Sequence, residues 1–198
     1  MDEIELEELE RELPGLARLS RFARSLDRIP WFANIGGKMT PGALAAADDY
    51  IAGLGFPDVE IAMLLDWGDA AAAAESLDWQ SPAWEAEESL RADLTGRALE
   101  MLSEDALRIG MALIAEKVAD PAKDAVEELA YLSDLDDEAI KTLCVGAAVQ
   151  AANGAALALV AAEDTDFDAE NHPFAAKFRL FEFGRWPVSI TGSSFNLF

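Results

Sequence analysis

Apolar residues recur at intervals of three and four along most of the chain, which is the spacing that places them on one face of an α-helix. The first such stripe lies in residues 2–13, among six glutamates. Pro14 and Gly15 then interrupt the pattern, and a second stripe continues to about Asp27. The sequence therefore predicts an N-terminal helical hairpin over residues 1–28.

Side chains that favour helix N-termini predict where the next helices begin. Ser, Thr and Asp accept hydrogen bonds from the first free backbone N–H groups, and proline is well suited to the first helical position. Three starts of this kind are Thr40-Pro41, Ser81-Pro82 and Asp120-Pro121. Three further starts are expected at Phe56-Pro57-Asp58, Ser103-Glu104-Asp105 and Ser133-Asp134-Leu135-Asp136. The sequence thus predicts three helical hairpins over residues 41–162.

The starts that contain proline lie about 40 residues apart, an interval typical of HEAT-like and related α-solenoids. The three units otherwise match poorly, and a helical bundle with helices of ordinary length produces the same interval. A solenoid and an ordinary bundle both stay open at this point.

The character of the chain changes after residue 162. Residues 163–173 are polar and end in proline, residues 178–183 alternate apolar and charged groups, and residues 186–198 are rich in β-formers with glycine between them. We expect an acidic loop followed by a short hairpin or extended segment over 163–198. The predicted fold is mainly α: a multi-helix bundle or irregular αα-hairpin array in a single domain, with a short C-terminal β or extended element.

The net charge narrows the choice of partner. The chain has 15 Lys and Arg against 38 Asp and Glu, a formal charge of −23, while 52% of its residues are hydrophobic. A surface of this sign repels phosphate backbones and so argues against nucleic-acid binding. It favours encounter with a basic protein or peptide. A solubility adaptation explains the same charge without a partner.

Two features bear on location. The first residues are acidic, unlike the basic start of a secretory signal. Residues 143–162 have no charged group and are long enough to cross a bilayer, but alanine and glycine dominate and no basic residue flanks them. We expect a buried helix there, no membrane contact and a cytoplasmic protein.

The polar loop offers the only pattern typical of a metal site. Its alternating acids resemble the opening of a calcium-binding loop, but the glycine and the late glutamate of that loop are replaced by Ala169 and Ala175. We expect a solvated linker and no cofactor. The residues that remain candidate metal ligands are Asp164, Asp166, Asp168 and His172.

Residues for nucleophilic catalysis are scarce. His172 is the only histidine, and Cys144, the only cysteine, lies in the apolar stretch where we expect burial. A lone cysteine also excludes an intrachain disulfide. We therefore expect a protein without catalytic residues, although the many carboxylates leave acid–base or metal chemistry open.

Aromatic residues are concentrated near the C-terminus. They are expected either to close the open end of the helical bundle or to contact a partner, or a second subunit in a homodimer, through an exchanged arm. The candidate contact residues are Phe181, Phe183, Trp186, Phe195 and Phe198.

Taken together, these patterns favour a non-catalytic binding module that meets a basic protein or peptide. The alternative is a carboxylate-based enzyme, with or without a divalent metal, or a helical protein that binds a small ligand.

Overall fold

The computed structural model describes residues 14–162 and 167–198. The helix predicted over 2–13 and the candidate ligands Asp164 and Asp166 lie outside these residues. The described helices are α1 (Pro14–Ser25, followed by a 3-10 turn at Leu26–Arg28), α2 (Pro41–Gly53), α3 (Trp67–Glu75), α4 (Pro82–Met101), α5 (Glu104–Leu132), α6 (Glu138–Ala161) and α7 (Pro173–Glu182). The strands are β1 (Glu60–Met63), β2 (Pro187–Thr191) and β3 (Ser194–Leu197). The mainly α fold with a small C-terminal β element is confirmed.

Three predicted helix starts are confirmed by their capping hydrogen bonds. The side chain of Thr40 accepts from the backbone N–H of Ala43, that of Ser81 from Trp84, and that of Ser103 from the third residue after it. Each bond satisfies one of the N–H groups that a helix leaves without a partner. They fix the beginnings of α2, α4 and α5.

The helix start predicted at Asp120-Pro121 is wrong, because Pro121 lies inside the 29-residue helix α5. Proline in a helix interior removes one backbone hydrogen bond and crowds the preceding turn. The helix continues because a buried stripe runs through it without a break. The stripe consists of Leu107, Gly110, Ile114, Val118, Ala122, Val126 and Ala130. Packing of this stripe outweighs the local signal, and the interval near 40 residues is not a structural repeat.

The start predicted at Ser133 is also wrong. Ser133 is the residue that ends α5, and Asp137 caps α6 by accepting from the N–H groups of Ala139 and Ile140. Asp137 satisfies two free N–H groups, so the N-cap of α6 lies at Asp137, four residues after the predicted position at Ser133.

The helix predicted at Phe56-Pro57-Asp58 is replaced by a turn and strand β1. This strand pairs in parallel with β3, where Ile61 lies opposite Phe195. Its partner is more than a hundred residues away in the chain, so no local pattern identifies it.

The sheet has the order β1–β3–β2, with β2 antiparallel to β3. The β2–β3 hairpin confirms the β element expected in 186–198. Gly192 opens its two-residue turn with a φ of +57°, a conformation that favours glycine. Of residues 178–183, expected to be extended, residues 178–182 belong instead to helix α7, and Phe183 is the C-cap of that helix. There Phe174, Phe178 and Phe181 share one buried face at helical spacing.

Helix α6 lies at the centre of the molecule. It packs against α1, α4, α5 and α7, and its buried residues are distributed around most of its circumference, as in a helix enclosed by others. The buried helix expected over 143–162 is confirmed. Among the described residues it is the one helix long and apolar enough to cross a bilayer, but 56% of that window is buried in the protein. Such burial is compatible with a soluble protein.

Candidate functional site

A pocket of 320 Å³ opens between α4, α6, α7 and the β2–β3 hairpin. Its walls are mostly apolar side chains. The larger apolar residues that line it are Leu77, Trp79, Trp84, Leu143, Trp186, Val188, Ile190 and Phe195. Pockets of this size and apolar character are typical of small-molecule sites.

Two tryptophans form one wall of the pocket. Trp79 precedes α4 and is largely exposed, and its ring meets that of Trp84 edge to face at 4.6 Å between centroids. The cap at Ser81 orients this segment, because its side chain accepts from the N–H of Trp84. The pair therefore presents indole surface that the chain itself leaves uncovered.

The pocket is also lined by a buried cluster of polar groups around Glu87. Lys177 of α7 donates to the Glu87 carboxylate over 2.5 Å, and the Tyr50 hydroxyl of α2 donates to the same oxygen. Arg91, one turn along α4, lies 3.8 Å from the other oxygen. Three helices thus contribute to one charged cluster beside an apolar cavity.

The charges in this cluster fix its protonation. Burial raises the pKa of Glu87, but the Lys177 ammonium and the hydrogen bonds from Lys177 and Tyr50 outweigh burial, so the pKa lies below its usual range. Burial and the Glu87 charge raise the pKa of the Tyr50 hydroxyl. At neutral pH Glu87 is therefore a carboxylate and Tyr50 a neutral phenol that donates.

Lys177 is the polar group best placed to meet a ligand. Its ammonium lies 5.3 Å from the centre of the Tyr50 ring and borders the pocket. An ammonium has three N–H donors, and Glu87 accepts one of them. Lys177 can therefore donate to a ligand acceptor while keeping its bond to Glu87.

The cluster is suited to binding and positioning. Glu87 already accepts two hydrogen bonds and is ionised, so it is a poor proton acceptor, and Tyr50 holds its proton. Cys144, which was expected to be buried, is enclosed in α6, and burial raises the pKa of its thiol far above the usual range. It does not line the pocket.

The aromatic residues proposed to contact a partner lie in the chain's own core, except Phe183, which is half-buried. Phe181, Trp186, Phe195 and Phe198 are buried, and Trp186 and Phe195 also border the pocket. The segment is tied down by Asn34, whose N–H donates to the Gly184 carbonyl. The partner contact stays a prediction, and it requires exchange of the whole segment.

The described candidate metal ligands have structural partners. His172 caps α7, where its Nδ1 accepts from the N–H of Phe174, and its ring packs on Phe167 and Phe174. Asp168 accepts from the side chain and backbone of Asn171, which lowers its pKa. Within 14–162 and 167–198 no group of three potential ligands converges.

Tyr50, Glu87 and Lys177 are functional candidates that the sequence patterns do not indicate directly. One signal was present for Glu87. It shares a face of α4 with the buried residues Ala83, Leu94 and Ala98, so a charged residue stands within an apolar stripe. Such a residue requires a partner, but the partner itself follows only from the fold.

Comparison of the chain with protein-family models, with curated proteins and with solved structures finds no match.

Proposed function

We propose that this protein is a non-catalytic binding protein whose pocket takes a small, uncharged, mainly apolar molecule that carries a hydrogen-bond acceptor. The observation that supports it is the pocket itself, which is lined both by exposed indole surface and by a buried ammonium. An apolar ring on Trp79 and Trp84 is stabilised by removal of both surfaces from water. The acceptor matches the remaining N–H donors of Lys177.

Charge favours a neutral ligand. The net charge of −23 repels anions at long range. A cation in the pocket meets the Lys177 ammonium, whose counterion Glu87 is already engaged by two cations. A neutral molecule avoids both costs.

Fluorescence titration with N-phenyl-1-naphthylamine, a neutral apolar probe that brightens in apolar sites, tests the proposal. We expect saturable binding with one site per chain, accompanied by a change in tryptophan emission. Probe binding that does not saturate contradicts the proposal.

A plug variant and a matched control locate the site. Gly146 lines the pocket on α6, and a Cβ built there meets no atom within 4 Å. Gly146→Leu places an apolar side chain at the pocket wall, where its Cβ meets open space, and is expected to weaken probe binding at least about ten-fold. Gly96 of α4 is an exposed helical glycine with equally open space that does not line the pocket. Gly96→Leu should bind the probe as the unmodified chain does, and equal loss in both variants contradicts the location.

Two ligands that differ in one carbonyl group test whether the pocket prefers a ligand with a hydrogen-bond acceptor. 2-Acetylnaphthalene and 2-ethylnaphthalene are similar in size, but only the first has a carbonyl. We expect the ketone to displace the probe at least about five-fold more strongly, because a hydrogen bond to a charged donor adds to the apolar contact. Equal displacement shows that Lys177 makes no such bond.

A further inference from the structure

Two shallow grooves continue from the pocket along the line where α5 meets α6. The first, of 360 Å³, shares Thr142 and Gly146 with the pocket. The second, of 340 Å³, shares Glu127 and Lys141 with the first and ends at the α5–α6 turn. We call this second groove, with the exposed end of α5 beside it, the turn groove. Its lining residues are Glu127, Ala130, Tyr131, Asp134, Leu135, Asp136 and Lys141.

The turn groove carries two of the three most exposed large apolar side chains among the described residues. Tyr131 is 87% exposed and Leu132 is 71% exposed. Leu65, which is 72% exposed, lies across a neighbouring hollow that Leu129 and Ser133 of the same helix end also line. Large apolar groups grouped in this way mark interaction sites more often than scattered ones do.

The backbone that carries these side chains has a defined conformation at the end of α5. The N–H of Leu135 donates to the Ala130 carbonyl over 2.9 Å, and Asp134 adopts a left-handed φ of 53°. This is the Schellman ending of a helix. Leu135 packs against the main core and closes the turn. The backbone of this surface is therefore preorganised, which lowers the entropic cost of binding.

The charge around these apolar groups is strongly negative. Residues 127–138 include six acidic side chains and no basic one. The nearest lysines, Lys123 and Lys141, are in ion pairs with Glu127 and Glu138. The C-terminal end of a long helix adds partial negative charge at the same place. An apolar patch within this field favours a ligand that is both apolar and cationic.

We propose that the turn groove docks a basic, amphipathic segment of a partner protein, with large apolar side chains on Tyr131 and Leu132 and lysine or arginine on the surrounding acids. This proposal does not depend on the small-molecule pocket. A second copy of this chain is a poor occupant, because two molecules that each carry a charge of −23 repel one another.

Three synthetic peptides test the chemistry of the partner by isothermal titration calorimetry or fluorescence anisotropy. The first is a short amphipathic peptide of leucine and lysine, the second is oligolysine, and the third replaces lysine by glutamate in the first. We expect the leucine–lysine peptide to bind at least about ten-fold more tightly than either of the others, with affinity that falls as salt is added. Equal binding of oligolysine overturns the proposal, because charge alone then explains the affinity.

Two double variants test the location. Tyr131→Ser with Leu132→Ser removes the apolar groups of the turn groove and should weaken peptide binding about ten-fold or more. Ile109→Ser with Leu113→Ser is the matched control, since these residues are exposed on the same helix away from the turn. It should leave the affinity unchanged, and equal loss in both variants overturns the location. The probe of the pocket, N-phenyl-1-naphthylamine, should bind both variants as before, so failure of one proposal is distinguishable from failure of the other.

Discussion

Lys177 Nζ lies 2.5 Å from Glu87 Oε1, and the two side chains are only 15% and 6% exposed. The bond joins α7 to α4 across ninety positions of sequence. Transfer of two charges from water into the protein is costly, and the pair offsets that cost because Tyr50 and Arg91 complete the environment of the carboxylate. Removal of one partner therefore leaves a charge buried without compensation.

Glu87→Gln is expected to lower the free energy of unfolding by about 3 kcal/mol, the usual loss when one partner of a buried pair is removed. Urea denaturation at pH 7 measures it. Glu88→Gln is the control, because Glu88 pairs with Arg91 at the surface and is largely exposed. Its loss should be at most about 1 kcal/mol. Similar losses in the two variants contradict the role of the buried pair.

Because of the same pair, we expect the free energy of unfolding to depend on pH in the acid range. The folded pKa of Glu87 lies below its unfolded value, so the stabilisation is complete above about pH 5 and declines as pH falls through about 4.3 towards the folded pKa. The difference in unfolding free energy between the unmodified chain and Glu87→Gln should shrink over that range. A difference that is constant from pH 7 to pH 3 contradicts it.

Because of His172, we expect stability to depend on pH near neutrality as well. Burial lowers its pKa below the usual range, against the opposing charge of Asp93. The neutral ring accepts the capping hydrogen bond of α7, and protonation removes that acceptor. Stability is therefore expected to be complete above the unfolded pKa of about 6.5 and to decline as pH falls below it.

His172→Asn tests this dependence, since asparagine caps helices well without titrating. Thermal unfolding between pH 5 and pH 7.5 should show a decline in the unmodified chain and a smaller one in the variant. Parallel curves would falsify the assignment to His172.

Pro121→Ala is expected to stabilise the protein by about 1 to 3 kcal/mol, because alanine restores the backbone donor inside α5 and removes the steric conflict. Chemical denaturation measures the change. Pro82→Ala at the first helical position of α4 is the control and should not stabilise, because no backbone bond is missing there. A loss of stability in Pro121→Ala contradicts the expectation.

Gly146→Ala and Gly96→Ala should each raise the unfolding free energy by about 0.5 to 1 kcal/mol, the difference in helix propensity between the two residue types. Both glycines lie inside helices with open space around the added methyl group. Thermal or urea unfolding measures the gain. Destabilisation by Gly146→Ala alone indicates that the pocket wall has less room than the structure shows.

The sequence by itself determined the features that depend on neighbouring residues. The caps at Thr40, Ser81 and Ser103 were predictable because each acts on an N–H group three residues away. The buried helix over 143–162 was predictable because its apolar residues leave no polar face. The β hairpin was predictable from β-formers around a glycine turn. Local signals of this kind need no knowledge of the rest of the chain.

The tertiary structure determined the helix bounds, strands and side-chain pairs at positions where contacts between distant residues outweigh local preferences. Pro121 was expected to begin a helix, but packing of the stripe from Leu107 to Ala130 carries α5 through it. Strand β1 forms because its backbone pairs with the edge of β3. Glu87 and Lys177 meet because α4 and α7 pack beside the same cavity. Burial and charge pairing act through space, so the sequence indicates that Glu87 needs a partner and only the fold supplies Lys177.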